Sequence, residues 1–239
     1  MPAKPTEDHK QRFLRDISRH TIKVIREDGV YRHIRCSRPG SWDMHFDIIT
    51  WPGYLAYVGD MGAFTFTRLH DMLEYFRNRR GILRINPQYW AEKLVATDCN
   101  GEHCQHGAAE WSDDRFKAAI KEHFEDHFAN LQPDEDATNE ERASFEFMKA
   151  DAWEQVEDEI FIWDSDLEHA GYQAANEFKH EPSKLEFEDL FECRLTEYSM
   201  RFMWACHAIA WAVLKYDQIH TNPADQRLVW ACDATGRAA

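Results

Sequence analysis

Five runs of hydrophobic and polar residues in the first third of the chain are typical of β-strands. They lie at residues 21–27, 30–38, 43–50, 54–60 and 63–67, and the run 43–50 alternates with a period of two. Asp28-Gly29, Trp51-Pro52-Gly53 and the segment 59–62 separate some of these runs with residues typical of tight turns. The pattern predicts an antiparallel meander of about five strands that packs on one face.

From residue 68 onward, apolar residues recur at the spacing of an α-helix. Leu69, Met72, Leu73 and Phe76 form one apolar stripe. Asn86-Pro87 is typical of a helix start and predicts a helix through residues 88–98. A short amphipathic helix is also expected at residues 7–19, ahead of the first strand.

Capping residues predict further helices in the second half of the chain. Ser112 is a candidate cap for a helix that runs to about Phe128. The pattern of a capping box occurs at Thr138, Ser165 and Ser183. The segment Glu197–Ile219 is apolar on more than one face, so we expect it at the centre of the helical part.

Strands that precede helices indicate an α+β fold. We therefore predict residues 1–97 as an antiparallel sheet with flanking helices and residues 98–239 as an acidic helical region. A single continuous domain remains the alternative organisation. The helices would either pack on the sheet or form a separate lobe.

The composition is that of a folded cytoplasmic protein. Of the 239 residues 44% are hydrophobic, which is enough for a substantial core. No apolar run reaches the roughly 18 residues that span a bilayer, and the first residues lack the apolar segment of a signal peptide. The six cysteines are spread along the chain, which is typical of thiols in a reducing compartment.

Charge is distributed very unevenly. Residues 1–94 hold 16 Lys and Arg against 11 Asp and Glu, whereas residues 95–239 hold 12 against 32. Within residues 125–168 there are 16 acidic and only two basic residues. Such a block is either a solvated helix face or a surface that binds a basic partner.

The second interpretation predicts a surface that imitates DNA. Spaced carboxylates can reproduce the charge array of a duplex and so occupy the DNA-binding groove of another protein. The candidate partner-binding residues are Glu135, Asp136, Glu140, Glu141, Glu154, Glu157, Asp158 and Glu159.

A second group of polar residues lies on the predicted sheet. Alternation places Asp43, His45 and Asp47 on one face of the third strand, and Asp60 lies in the next turn but one. Carboxylates beside an imidazole can bind a divalent cation or orient a general base. The alternative is that this is the hydrated face of a half-buried sheet.

Other chemical signals are weak. Cys99, His103, Cys104 and His106 offer four metal ligands, but their spacing does not match that of common zinc sites. The chain contains no nucleotide-binding glycine loop and no nucleophile elbow. We therefore expect no cofactor.

Five further segments lie at residues 27–29, 31–35, 50–55, 59–62 and 202–211, among them Thr50-Trp51-Pro52-Gly53 and Gly59-Asp60-Met61-Gly62. In these segments the chain resembles a group of bacteriophage, prophage and plasmid proteins with no established activity. The resemblance implies an origin in a mobile element, and accessory proteins of such elements often counter host defence.

The leading hypothesis is a non-enzymatic phage accessory protein that acts in the cytoplasm of the bacterial host. Its partner would be a host protein with a basic surface, such as a nuclease or a DNA-binding complex. Neither direct binding of nucleic acid nor a membrane is expected, and the protein could form a homodimer. The alternative is a metal-dependent hydrolase that uses Asp43, His45, Asp47 and Asp60.

Overall fold

The computed structural model describes residues 8–98, 107–162 and 168–221. They form two compact units, each with a hydrophobic core of its own. The sheet unit comprises the described residues up to Glu110 and from Tyr198 onward, and the helical unit comprises the described residues of Trp111–Glu197. The sheet unit therefore includes the last helix as well as the sheet.

A six-stranded antiparallel meander forms the sheet unit. Each strand pairs with its neighbour in the chain, in the order β1 to β6. The strands are β1 (Thr21–Asp28), β2 (Tyr31–Ser37), β3 (Phe46–Trp51), β4 (Tyr54–Gly59), β5 (Gly62–Thr67) and β6 (Leu94–Thr97). The α+β class and the N-terminal antiparallel meander predicted from sequence are confirmed, with one strand more than expected.

Glycine is required at the tight turns of this meander. Gly29 between β1 and β2 has φ +60°, and Gly53 between β3 and β4 has φ +86°. L side chains rarely adopt these conformations. Gly59 is needed for a different reason, because a Cβ there would lie 2.4 Å from the His45 carbonyl oxygen and 2.7 Å from Cβ of Phe46.

Four helices cover one face of the sheet, which we call the inner face. They are α1 (His9–Asp16), α2 (Met72–Phe76), α3 (Pro87–Ala91) and α7 (Met200–Thr221). Buried residues of all four join the core with the inward-facing residues of the strands, such as Ile48, Tyr57 and Phe64.

Helix α7 is buried around most of its circumference, as its sequence predicts, but its place is in the sheet unit and not in the helical unit. Trp204 packs edge-on against Phe13 of α1 and Phe46 of β3, with ring centroids 5.0 and 5.6 Å away. One turn further along the helix, the ring of His207 stacks on Phe13. Burial lowers the pKa of His207 to about 4, although the nearby Asp8 acts in the opposite direction.

The helical unit contains α4 (Asp113–Asn130), α5 (Asn139–Glu159) and α6 (Glu168–Glu177). A small hairpin of β8 (Lys179–His180) and β9 (Leu185–Glu186) follows, and then a 3-10 turn at Leu190–Glu192. The chain passes between the two units in β7 (Ala109–Trp111) and β10 (Thr196–Tyr198), which pair with each other.

The core of the helical unit is rich in aromatic side chains from α4. Phe116, Phe124 and Phe128 of α4 pack with Val156 of α5. The predicted caps at Ser112 and Thr138 are both confirmed.

Two helix predictions were wrong. The helix that starts at Asn86 ends at Ala91, and Leu94–Thr97 instead becomes β6 by pairing with β5. The residues that follow Ser183 form β9 and not a helix, because Lys184 turns the chain with φ +60° and Leu185 enters the core. The box predicted at Ser165 lies outside the described residues.

We expect Gly59→Ala to lower the free energy of unfolding by about 3 kcal/mol, because the new methyl group overlaps the backbone of β3. Gly53→Ala is the matched control. Its Cβ would meet nothing within 4 Å, so only the cost of a positive φ, about 1 kcal/mol, applies. Urea denaturation measures both. An equal loss in the two variants would contradict the close-approach argument.

His207 makes stability depend on pH. The unfolded chain takes up a proton at this side chain below about pH 6.5, whereas the folded protein does so only near pH 4. The free energy of unfolding should therefore fall by roughly 2 kcal/mol as the pH drops from 6.5 to 4. Denaturation of His207→Phe should lack this contribution, whereas the exposed control His70→Gln should keep it.

Candidate functional site

The acidic helix α5 is fixed at its start by a capping box. The hydroxyl of Thr138 accepts a hydrogen bond from the backbone N–H of Glu141, and the Glu141 carboxylate accepts one from the backbone N–H of Thr138. These contacts lower the pKa of Glu141. A carboxylate at this end of a helix is also stabilised by the helix dipole.

Arg142 folds the acidic linker back against this helix. Its guanidinium donates to the backbone carbonyl oxygens of Asp134, Glu135 and Ala137, at 3.1, 2.8 and 3.3 Å. The two carboxylates of Glu135 and Asp136 thus stay beside the first turn of α5. We call α5 with residues 134–138 the acidic segment.

Every one of the eight predicted partner-binding residues is exposed. Two of them make structural contacts, Glu141 in the capping box and Glu157 with the indole N–H of Trp153. Five have no ion-pair partner among the residues that the structure describes, namely Glu135, Asp136, Glu140, Glu154 and Asp158. Their charge is available to a partner.

The exposed carboxylates share one face of α5 with an aromatic residue. Glu140, Glu154 and Asp158 lie within about 40° of one another around the helix axis, opposite the buried Val156. Phe147 lies on the same face and is 76% exposed. The face is about 27 Å long from Glu140 to Asp158, at 1.5 Å per residue.

The structure divides the four predicted sheet residues among three places. Asp47 lies in β3 and accepts hydrogen bonds from Arg35 at 2.9 and 2.7 Å and from His33 at 2.9 Å. His45 Nδ1 lies 2.9 Å from a carboxylate oxygen of Asp60. Asp43 is exposed.

Residues 43–45 precede the strand in which they were predicted. Strand β3 begins at Phe46, and Met44 turns the chain with φ +54°. The alternation expected from Asp43 onward was therefore wrong for its first three residues. Sequence gave no signal for the turn, because Met is uncommon at positive φ.

Asp47 belongs to an ion-paired group. Burial alone would raise the pKa of Asp47, but the hydrogen bonds and charges of Arg35 and His33 lower it. Both carboxylate oxygens have donors, which is an arrangement that holds a carboxylate ionised and fixed.

No three His, Cys, Asp or Glu side chains are grouped to hold a metal ion in residues 8–98, 107–162 and 168–221. The weak metal candidates Cys99, His103, Cys104 and His106 lie outside this part of the chain.

A groove in the helical unit brings together residues that the sequence analysis did not combine. It has a volume of about 440 Å³, and both His123 and Cys193 line it. His123 Nε2 lies 3.9 Å from Cys193 Sγ, and the neighbouring His127 contacts the carbonyl oxygen of Ser183. Because 70 residues separate His123 from Cys193, no local pattern could have indicated this pair.

Comparisons with protein-family models, with curated proteins and with solved structures give no match. Within the described residues, no helix has the length and apolarity that crossing a membrane requires.

Asp47→Asn tests the ion-paired group. At neutral pH we expect it to lower the free energy of unfolding by about 2 kcal/mol, because Arg35 and His33 lose a charged acceptor. The lowered pKa means that the contribution of Asp47 is complete above about pH 4 and is lost as the pH falls through the folded value. The difference between wild type and variant should therefore shrink in acid.

Urea denaturation at several pH values measures this difference. Asp43→Asn is the control, since that carboxylate contacts neither Arg35 nor His33, and it should change stability by less than about 0.5 kcal/mol. A difference for Asp47→Asn that stays constant down to pH 2 would argue against the ion pair.

Proposed function

We propose that this chain is a non-enzymatic accessory protein of a phage or similar mobile element. It binds a basic surface on a host protein through the acidic segment, and the partner is a nuclease or DNA-binding complex of host defence. The observation that carries the proposal is the set of eight exposed carboxylates on the acidic segment, five of which have no ion-pair partner in the described residues.

The basic residues nearby in the sequence do not neutralise the charge of these carboxylates. Residues 125–168 contain only two, Arg142 and Lys149. Arg142 donates to backbone carbonyl oxygens, and Lys149 pairs with Glu125 of α4 at 2.7 Å. Neither forms an ion pair with any of the eight carboxylates in the part of the chain that the structure describes.

The density of charge supports imitation of DNA. Six of the eight carboxylates lie on α5, whose 21 residues span about 31 Å, and they give roughly one charge per 5 Å. One strand of a DNA duplex carries a phosphate about every 3.4 Å along its axis. A site that binds a strand by charge would therefore meet a comparable array.

Phe147 supports recognition of a protein. An aromatic side chain that is exposed amid charges gives a partner an apolar contact besides ion pairs, and such residues are enriched among the strongest contributors to interfaces. The carboxylates would speed association, and Phe147 would slow dissociation.

The test begins with capture of partners from bacterial host lysate at low and at high salt. The captured protein is identified and purified, and its affinity for the wild-type chain is measured across a range of salt concentrations. Binding that weakens as salt rises is expected, because salt screens exposed charges.

The decisive variant combines Glu154→Gln, Glu157→Gln, Asp158→Asn and Glu159→Gln. We expect it to weaken binding by at least about tenfold and to flatten the salt dependence. The matched control, with the same change in net charge elsewhere on the helical unit, combines Glu181→Gln, Glu188→Gln, Asp189→Asn and Glu192→Gln, and it should bind normally. Undiminished binding by the first variant would refute the proposal.

A further inference from the structure

The face of the sheet opposite the inner face, the outer face, is apolar at its centre. The register places Ile49 beside Ala56 in the middle of β3 and β4, and Val58 beside Ala63 in β4 and β5. Val58 is 46% exposed, although it lies within a six-stranded sheet. One interpretation of the sequence predicts a hydrated polar face here, and the centre of the face does not fit that description.

The helices of the sheet unit leave this face uncovered. Their buried residues Phe13, Met72 and Trp90, together with those of α7, belong to the core on the inner face. Open apolar faces of this kind are usual sites of protein association in otherwise soluble chains.

Aromatic side chains border the outer face at both ends of the strands. At one end Tyr31, Trp51 and Tyr54 are neighbours on three adjacent strands, with the rings of Trp51 and Tyr54 stacked at 5.3 Å. At the other end Trp42 lies over the guanidinium of Arg35 at 5.2 Å and is 64% exposed. Exposed Trp and Tyr are typical of the anchor residues of interfaces.

The charges near the centre of this face are already paired within it. Asp47 is held by Arg35 and His33, and its side chain is only 14% exposed. A strongly basic or acidic partner would therefore gain little at the centre of the face. A second copy would meet a centre without unpaired charge, because Lys23, which has no ion pair in the described residues, lies on the edge strand β1. Two acidic segments, by contrast, would repel each other.

The size of the face is sufficient for a dimer. Six strands spaced about 4.8 Å apart, with lengths that average about six residues at about 3.3 Å per residue, cover roughly 500 Å² in projection. Two such faces bury about 1,000 Å², which is near the lower limit of specific interfaces.

We propose that two copies of this chain associate through their outer faces to form a symmetric dimer. The small side chains Ala56 and Ala63 at the centre allow the two sheets to approach to about 10 Å, the usual distance between packed sheets. In a two-fold arrangement each contact occurs twice, so the border aromatics of both copies contribute. This proposal does not depend on the function proposed for the acidic segment.

Sedimentation equilibrium over a wide range of protein concentration tests the dimer. The full chain should approach twice its mass of 28.2 kDa as concentration rises. Ala56→Arg and Val58→Arg should each weaken association by at least about 100-fold, because an unpaired charge would be buried. Phe191→Arg in the helical unit, where Phe191 is 73% exposed, is the control for a new exposed arginine and should associate like the wild type.

Thr65→Lys, on the neighbouring strand of the same face, serves as a second variant, and circular dichroism checks that each variant is folded. A wild type that is monomeric at every concentration would overturn the proposal, as would a dimer that persists in the folded Ala56→Arg and Thr65→Lys variants. A monomer whose tryptophan fluorescence is quenched by a single-stranded poly(dT) oligonucleotide would assign the face to nucleic acid and also overturn it.

Discussion

The contact between α7 and the inner face of the sheet is the interaction on which the sheet unit depends. Trp204 lies at its centre, against α1 and β3, and the indole N–H donates to Asp16 at 3.1 Å. Burial of an aromatic side chain of this size contributes about 2–3 kcal/mol. Polar contacts hold the other end of the helix, where Asp217 accepts two hydrogen bonds from Arg77. Helix α7, near the C-terminal end of the described residues, thus contacts α1 at their N-terminal end.

Local signals were sufficient for much of this architecture. Asp28-Gly29 predicted a hairpin and Thr138 predicted a capped helix, because each depends on residues only a few positions apart. The predictions that failed concern segments whose structure is decided by contacts with residues elsewhere in the fold. Leu94–Thr97 has a sequence compatible with helix, but the edge of β5 offers it hydrogen bonds. The four residues from Ser183 match a capping box, yet burial of Leu185 selects a hairpin.

Some features of the candidate site could likewise be predicted from local sequence, and others could not. Exposure of Glu154 and Asp158 follows from their place on α5 opposite Val156, and the sequence shows that arrangement directly. The role of Asp47 could not be predicted, because its partner Arg35 comes from another strand and only the register brings them together. The outer face was missed because its apolar centre is assembled from Ile49, Val58 and Ala63 of three strands, which only the register brings together.

The order of elements along the chain has a consequence for synthesis. The core of the sheet requires α7, and all of Trp111–Glu197 comes between β6 and that helix. During translation the helical unit is therefore synthesised before α7, which the sheet needs to bury its inner face. Until α7 has been made, inner-face residues such as Phe46 and Phe64 lack their contacts with it. Closing so long a loop adds an entropic cost to the folding of the sheet unit that the helical unit, which is contiguous in the chain, does not bear.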